Sequence, residues 1–402
     1  MPGARQVLAI AGAAFGACLA AASAPAEEPV TLLGGRLLLG VELSGTIAPE
    51  DEGWFNYSDY ETSTLRLFRL DLAAEARLLP FASVLLDVRS DNLDAPRVYA
   101  LYLRLRPWAG REIDLQAGLI PPVFGAFPRR RYASENPLPS LPLAYQYLTS
   151  LREDAVPSRA EELVAQRGRG WQVQYPVGSP EPGPGLPLVN GERWDTGLEL
   201  RLGREPLSLA VAVTQGTLSN PLVSDDNAGK QVSARLAWTP SPSLVAGISG
   251  ASGEFLSDEV TEVLPESARG TFRQKALGLD LQWSAGYWIA RGEAVWSRWT
   301  LPALDATQIE DPLDALGAYA EVRRKLRPGL YVAGRGERLA FSEIPSAAGR
   351  GSWDAPVTRV ELGAGWTPTR HVLLKASWQH NWRDGGRVRE NDLVAGQVVL
   401  WY

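Results

Sequence analysis

Along most of the chain apolar and polar residues alternate one by one, which is the period of a strand and not of a helix. Between residues 231 and 238, Val232, Ala234, Leu236 and Trp238 fall on one side, and Gln231, Ser233, Arg235 and Ala237 on the other. The same division places Leu198, Leu200 and Leu202 opposite Glu199 and Arg201, and Leu277, Leu279, Leu281 and Trp283 opposite Gly278, Asp280 and Gln282. Val360, Leu362, Ala364 and Trp366 oppose Arg359, Glu361 and Gly363, and the closing segment sets Val394, Val398, Leu400 and Tyr402 against Gln397 and Trp401. A soluble sandwich alternates too, but its apolar face meets a second sheet.

The connections distinguish the two. Short turn signals at residues 204–206, 239–242, 284–286, 327–329 and 367–369 alternate with longer polar stretches at 217–229, 253–270, 300–314 and 341–354. Hairpins short at one end and long at the other, on strands of about ten residues, describe a transmembrane antiparallel β-barrel with short periplasmic turns and long extracellular loops. Tryptophans follow the same order. Trp238, Trp283 and Trp366 precede short turns, while Trp296, Trp299, Trp378 and Trp382 fall near the other strand ends, as two aromatic girdles at two bilayer interfaces require. Counting from residue 36 to Tyr402 gives an all-β fold of about sixteen strands, between about fourteen and eighteen. An even number leaves both termini on the periplasmic side.

Composition adds the compartment. The 402 residues carry 45 % hydrophobic and 21 % charged side chains, 39 glycines, and only one cysteine and one methionine, so a disulfide-stapled or disordered chain is excluded. A net charge of −6 argues against nucleic acid. Cys18 and Met1 both fall in residues 1–26, where Arg5, an apolar run from Val7 to Ala22 and Ala24-Pro25-Ala26 form an expected signal peptide. The run is too short to span a bilayer as a helix, and Phe15 ahead of Gly16-Ala17-Cys18 fits a lipoprotein site poorly. Residues 27–402 form the barrel.

The whole mature chain resembles Gram-negative outer-membrane porins, and loosely the phosphate-selective porin-like group. Val398-Val399-Leu400-Trp401-Tyr402 is similar to their aromatic-terminated last strand, and residues 117–125, Ala-Gly-Leu-Ile-Pro-Pro-Val-Phe-Gly, to the strand exit before their constriction loop. The resemblance implies the cell outer membrane with its lipid, assembly through the C-terminal strand by the barrel-assembly machinery, and a homotrimer. Lysine is scarce, and the lysine ladder of phosphate selectivity is not visible.

With the apolar side outward, charges of both signs point inward. The expected pore lining is Arg69 and Asp71, Arg104 and Arg106, Glu199 and Arg201, and Arg235, followed by Arg291 and Glu293, Glu321 and Arg323, Arg335 and Glu337, and Arg359 and Glu361. Opposite charges two apart on one strand lie about 7 Å from each other, within reach of long side chains. A wet bore spares them the several kcal/mol of desolvation that a dry core exacts. Residues 121–193 break the strand rhythm and are too long for a structureless loop. They carry Arg129, Arg130 and Arg131, the aromatics Tyr145 and Tyr147, and a helix start at Ser158 with Glu161 as capping partner. Folded into the bore, this loop would constrict it and bias it toward anions.

Catalysis finds no footing in the sequence. Only His371 and His380 are present, on opposite faces of one strand, and no G-x-S-x-G, H-E-x-x-H or P-loop occurs. No metal site and no cofactor are expected. Asp51, Glu52, Asp59 and Glu61, or Asp225 and Asp226, lack calcium-loop spacing. Passive diffusion of small hydrophilic solutes or ions is the first reading. A substrate-specific facilitator or export channel for an acidic polysaccharide or anion, with Tyr145 and Tyr147 in its track, is the second. A plugged anchor or adhesin is the third.

Overall fold

The computed structural model describes residues 30–58, 62–108, 112–227, 229–302, 304, 309, 312–347 and 349–402. The expected signal peptide lies outside them, as do Asp59 and Glu61. Alternation along the chain becomes a closed antiparallel barrel of 16 strands. In chain order these are β1 (Leu37–Ile47), β2 (Phe68–Leu79), β3 (Ala82–Asp91), β4 (Arg97–Leu105), β5 (Glu112–Ile120), β6 (Asp195–Arg204), β7 (Leu207–Thr214) and β8 (Gln231–Ser241). The second half comprises β9 (Leu244–Glu254), β10 (Arg273–Ala285), β11 (Trp288–Trp299), β12 (Leu313–Arg327), β13 (Leu330–Phe341), β14 (Val357–Thr369), β15 (Val372–Arg383) and β16 (Glu390–Trp401). Each strand pairs with the next, and β16 closes on β1 in the register Glu42↔Trp401 to Ile47↔Gly396. Closure leaves no backbone edge facing lipid, where an unpaired amide costs several kcal/mol.

The turns at the short end are tighter than the sequence signals suggest. β8 runs through Thr239 and Pro240 to Ser241, and β14 through Thr367 and Pro368 to Thr369. Both prolines fall inside register shifts, between Trp238 and Ser241 and between Trp366 and Thr369. A bulge already interrupts the ladder there, so a residue without an N–H is accommodated. Below the end of β16, where the N–H and C=O of Tyr402 bond those of Val41, a three-residue strand Val30–Leu32 folds back on Leu37–Leu39. Its turn runs through Leu33, Gly34 and Gly35, all at positive φ.

The outward faces are apolar and exposed, with Leu198, Leu236, Ile248, Leu279, Leu362 and Val394 among them. Trp238, Trp283 and Trp366 are exposed toward the short-turn end, and Trp378 and Trp382 toward the other. Trp299 departs from the expected girdle. It shares the face of Arg291 and Glu293, so it points inward, fully buried and edge-on to Trp353 at 6.0 Å. There it joins a core inside the barrel, built from wall residues Val295, Leu313, Leu339 and Val357 and loop residues Phe124, Phe127, Leu143, Tyr145 and Leu163.

Candidate functional site: the throat of the bore

The chain leaves β5 at Ile120, re-enters β6 at Asp195, and folds between them into the bore. It forms two short helices, α1 (Leu143–Gln146) and α2 (Ala160–Ala165). The expected capping partner is displaced by one residue: Glu162, not Glu161, accepts hydrogen bonds from the Ser158 N–H at 2.7 Å and the Ser158 hydroxyl at 3.0 Å, because α2 starts at Ala160.

The inserted segment is held by wall carboxylates that accept its backbone and side-chain donors. Glu42 on β1 accepts the N–H groups of Ala133 (2.6 Å) and Ser134 (3.1 Å). Glu337 accepts the Leu143 N–H at 2.6 Å, and Glu293 accepts the Ala126 N–H at 3.1 Å and the Tyr145 hydroxyl. Ser140 donates to Glu361. Above the bore, Asp354 in the β13–β14 loop accepts the N–H groups of Ser150 (2.7 Å) and Gly168 (2.9 Å). Burial pushes the Asp354 carboxyl above its usual range against these bonds.

Two arginines of the segment reach the wall on different sides, Arg130 at β12 and Arg131 at β3. Arg130 donates to Glu321 at 2.8 Å and to the Tyr319 hydroxyl at 3.1 Å, and Arg131 pairs with Asp87 while its guanidinium lies 5.4 Å from the Trp194 ring centre. Burial works against the Arg130 charge, but Glu321 and Tyr319 outweigh it and hold its pKa above the ordinary value. Desolvation opposes the Arg131 charge as well, and Tyr132 and Asp87 offset it with the same net direction. Both stay cationic. The Arg129 side chain lies outside the described residues.

Beside these residues lies a space of about 50 Å³, with Arg69, Arg89, Arg130, Arg131 and Lys375 among its cations and Glu192 as the acid of its described lining. Glu192 bridges Arg69 at 2.7 Å and Arg89 at 3.0 Å, and the Lys375 ammonium donates to the Ala133 carbonyl at 2.6 Å. A vestibule of about 680 Å³ opens above, lined by Arg69, Arg89, Arg97, Arg193, Tyr99 and Trp194 together with Asp91, Asp94 and Glu192. A lower cavity of about 640 Å³ is lined by Arg104, Arg106, Arg201 and Arg235 with Glu112 and Asp114.

No protein-family model matches the chain, and no sequence among the curated proteins does. Solved structures match it along almost its whole length. The outer membrane channel DcaP of Acinetobacter baumannii is 9 % identical, at a TM-score of 0.55, over 93 % of this chain and 100 % of that one. OmpF of Salmonella typhi in complex with daunomycin is 11 % identical, at 0.56, over 91 % and 97 %. An anion-selective porin from Comamonas acidovorans is 10 % identical, at 0.50, over 91 % and 98 %.

The barrel has the porin fold. With its exposed apolar belt, this porin-type barrel sits in the outer membrane.

Within the porin fold the sequence-selected charges divide into two groups. Glu293, Glu321, Arg335, Glu337, Arg359 and Glu361 are buried beneath the inserted segment and hold it in place. Glu321 alone meets Arg130, Arg291 (3.2 Å) and Arg335 (3.5 Å). Arg359 donates to Asn381 and to the Phe55 carbonyl, both at 2.8 Å. Arg323 lies near the short-turn end with its guanidinium 5.3 Å from the Tyr331 ring centre. In the second group Arg69, Arg104, Arg106, Arg201 and Arg235 line open cavities, and Asp71 and Glu199 are buried behind them. Arg69 pairs with Asp91 at 2.7 Å, Asp71 with Arg89 at 2.8 Å, and Arg235 with Asp280 at 2.6 Å. Glu199 pairs with Arg201 along one strand, Arg104 with Asp114, and Arg106 sits past the end of β4 at 3.5 Å from Asp114.

Parity on its strand already points Lys375 inward, but two features of the site are absent from the sequence-selected set. Glu192 has no sequence signature, since it precedes β6 without periodic context. Glu42 is legible by parity, as an inward charge between apolar neighbours. Tyr145 and Tyr147 do not form an exposed track; both are buried in the inner core. His371 stacks on Tyr402 at 5.0 Å, and His380 bonds Asp392 at 2.8 Å on the outward face beside Trp382. Among the described residues no cluster is arranged to hold a metal.

Proposed function

We propose that the chain is a diffusion channel for small hydrophilic anions, with the segment after β5 forming its narrowest point. The observation that carries this reading is the continuity of arginine from Arg97 and Arg193 at the vestibule, through Arg69, Arg89, Arg130, Arg131 and Lys375 at the throat, to Arg104, Arg201 and Arg235 below. Carboxylates pair with many of these groups, but at the throat cations outnumber acids in the described lining. A unit charge about 7 Å from a permeating ion in a water-like medium contributes about 0.6 kcal/mol, close to thermal energy, so each cation changes the anion preference several-fold. That the matched Comamonas acidovorans structure is called anion-selective agrees with this reading.

About 50 Å³ holds one or two waters, so solutes pass only as throat side chains swing aside, and conductance is low. The same proposal includes removal of residues 1–26 on export, barrel insertion through the β16 edge, and a homotrimer, a state that the matched outer membrane protein OmpT of Vibrio cholerae takes in its trimer form. It involves no chemical step and no cofactor.

The test is the zero-current potential across a planar bilayer under a salt gradient. Wild type is expected to favour the anion, and Arg130→Gln/Arg131→Gln/Lys375→Gln is expected to abolish most of that preference. An unchanged potential in the triple variant would refute the assignment.

A further inference from the structure

On the outer surface, where β15, β16, β1 and β2 meet, the apolar belt is interrupted by a depression of about 700 Å³. Its floor is glycine. Gly45 lies between Val398 and Phe68 in the ladder, and Gly396 lies between Ile47 and Ala376. Neither glycine is demanded by the fold. Neither has a positive φ, and a Cβ at Gly45 would meet only Phe68, at 3.9 Å, and one at Gly396 only Ile47, at 3.8 Å. The contrast is Gly118, at φ +130° and packed against the backbone of β4, where a side chain has no place. The two floor positions could carry side chains as the rest of the belt does, and instead leave a gap walled by Ile47, Phe68, Leu374 and Val398.

We propose that this notch is a binding site for one lipid of the outer leaflet, taking an acyl chain into the glycine-floored gap and a phosphate of the head group on Arg66. Two observations choose that occupant. The walls face hydrocarbon, where an unfilled gap forfeits dispersion contacts that a flexible chain restores. The lining ends at Arg66, an exposed guanidinium in the β1–β2 loop on the long-loop side of the barrel, where outer-leaflet head groups lie. Arginine binds phosphate in bidentate fashion. The site is on the opposite face of the wall from the throat and does not depend on the channel reading.

The experiment is native mass spectrometry of the full chain in detergent, titrated with diphosphorylated lipid A and, separately, with its dephosphorylated form. Wild type should retain one lipid A. Gly396→Leu and Gly45→Leu, which fill the gap from its floor, should weaken both forms about tenfold or more. Arg66→Gln should weaken only the phosphorylated form. Heat-modifiable migration and unchanged single-channel conductance would certify that the variants are folded. Equal lipid retention in wild type and both leucine variants would overturn the proposal. So would a change in chain-to-chain association on Gly396→Leu without loss of lipid, which would assign the notch to a second copy.

Discussion

Replacing Glu321 with glutamine tests how the inserted segment is held. Its carboxylate is buried and faces three guanidiniums at 2.8, 3.2 and 3.5 Å, from Arg130, Arg291 and Arg335. At an effective dielectric of about 20, a pair at about 3 to 4 Å is attracted by roughly 4 to 5 kcal/mol before desolvation is subtracted. Removing the acid while leaving the bases buried costs about 3 to 5 kcal/mol in comparable sites. The lower end applies here, because Arg335 keeps Glu337 at 2.8 Å and Glu361 at 2.9 Å, and Arg291 keeps Gln282 at 2.9 Å. Arg130 keeps only the Tyr319 hydroxyl among its described bonds, so the released group is the one that borders the throat. About 3 kcal/mol corresponds to a fall of roughly 4 °C in the heat-modifiability midpoint of a chain this size. Conductance should rise and open-channel noise increase as Arg130 loses its anchor, and anion preference should strengthen with the lost negative charge. A variant with wild-type midpoint, conductance and noise would show that Glu321 does not hold the segment.

Other expectations follow from neighbouring features. Trp299→Ala should destabilise the barrel by about 3 to 5 kcal/mol, measured by the same midpoint, with selectivity unchanged because the ring packs in the inner core and not at the throat. Burial raises the Asp354 carboxyl, so its folded form holds a proton more firmly than the unfolded chain does. The contribution of that group is therefore fully present below the unfolded value of 3.8 and lost as pH rises through the folded value, and Asp354→Asn should flatten the midpoint against pH over that window. Anion preference should weaken as salt rises from 0.1 to 1 M, roughly as the Debye length falls from about 10 to 3 Å, which a reversal-potential series would register.

The wall was legible because each strand separates two solvents. Leu198 and Leu200 against Glu199 and Arg201 admit only one orientation in a bilayer, and a register slip of one residue would reverse it. Trp299 departs from the girdle because parity, and not nearness to a strand end, sets the side to which a ring points. The inserted segment was legible as an interruption of rhythm and no further: Phe124, Tyr145 and Leu163 have no common period, and a wall partner such as Glu293, which accepts from Tyr145, lies more than a hundred residues away in sequence. Ion pairing was visible only in part. Glu199 with Arg201 and Arg335 with Glu337 pair two apart on one strand, as spacing suggests. Arg291 and Glu361 instead take cross-strand partners, Glu321 and Arg335, because directly opposed positions on neighbouring strands stand closer than positions two apart on the same strand.

The three residues Val30–Leu32 bear on the molecule's neighbours. β1 extends past the end of β16, and its surplus backbone would present a sticky ledge of free amides and carbonyls to any extended peptide passing through the periplasm. By doubling back onto Leu37–Leu39 the chain occupies that ledge with its own backbone. The seam of the cylinder is thereby backed by the chain's own backbone, and the edge that remains is only three residues long, a short template for any foreign strand.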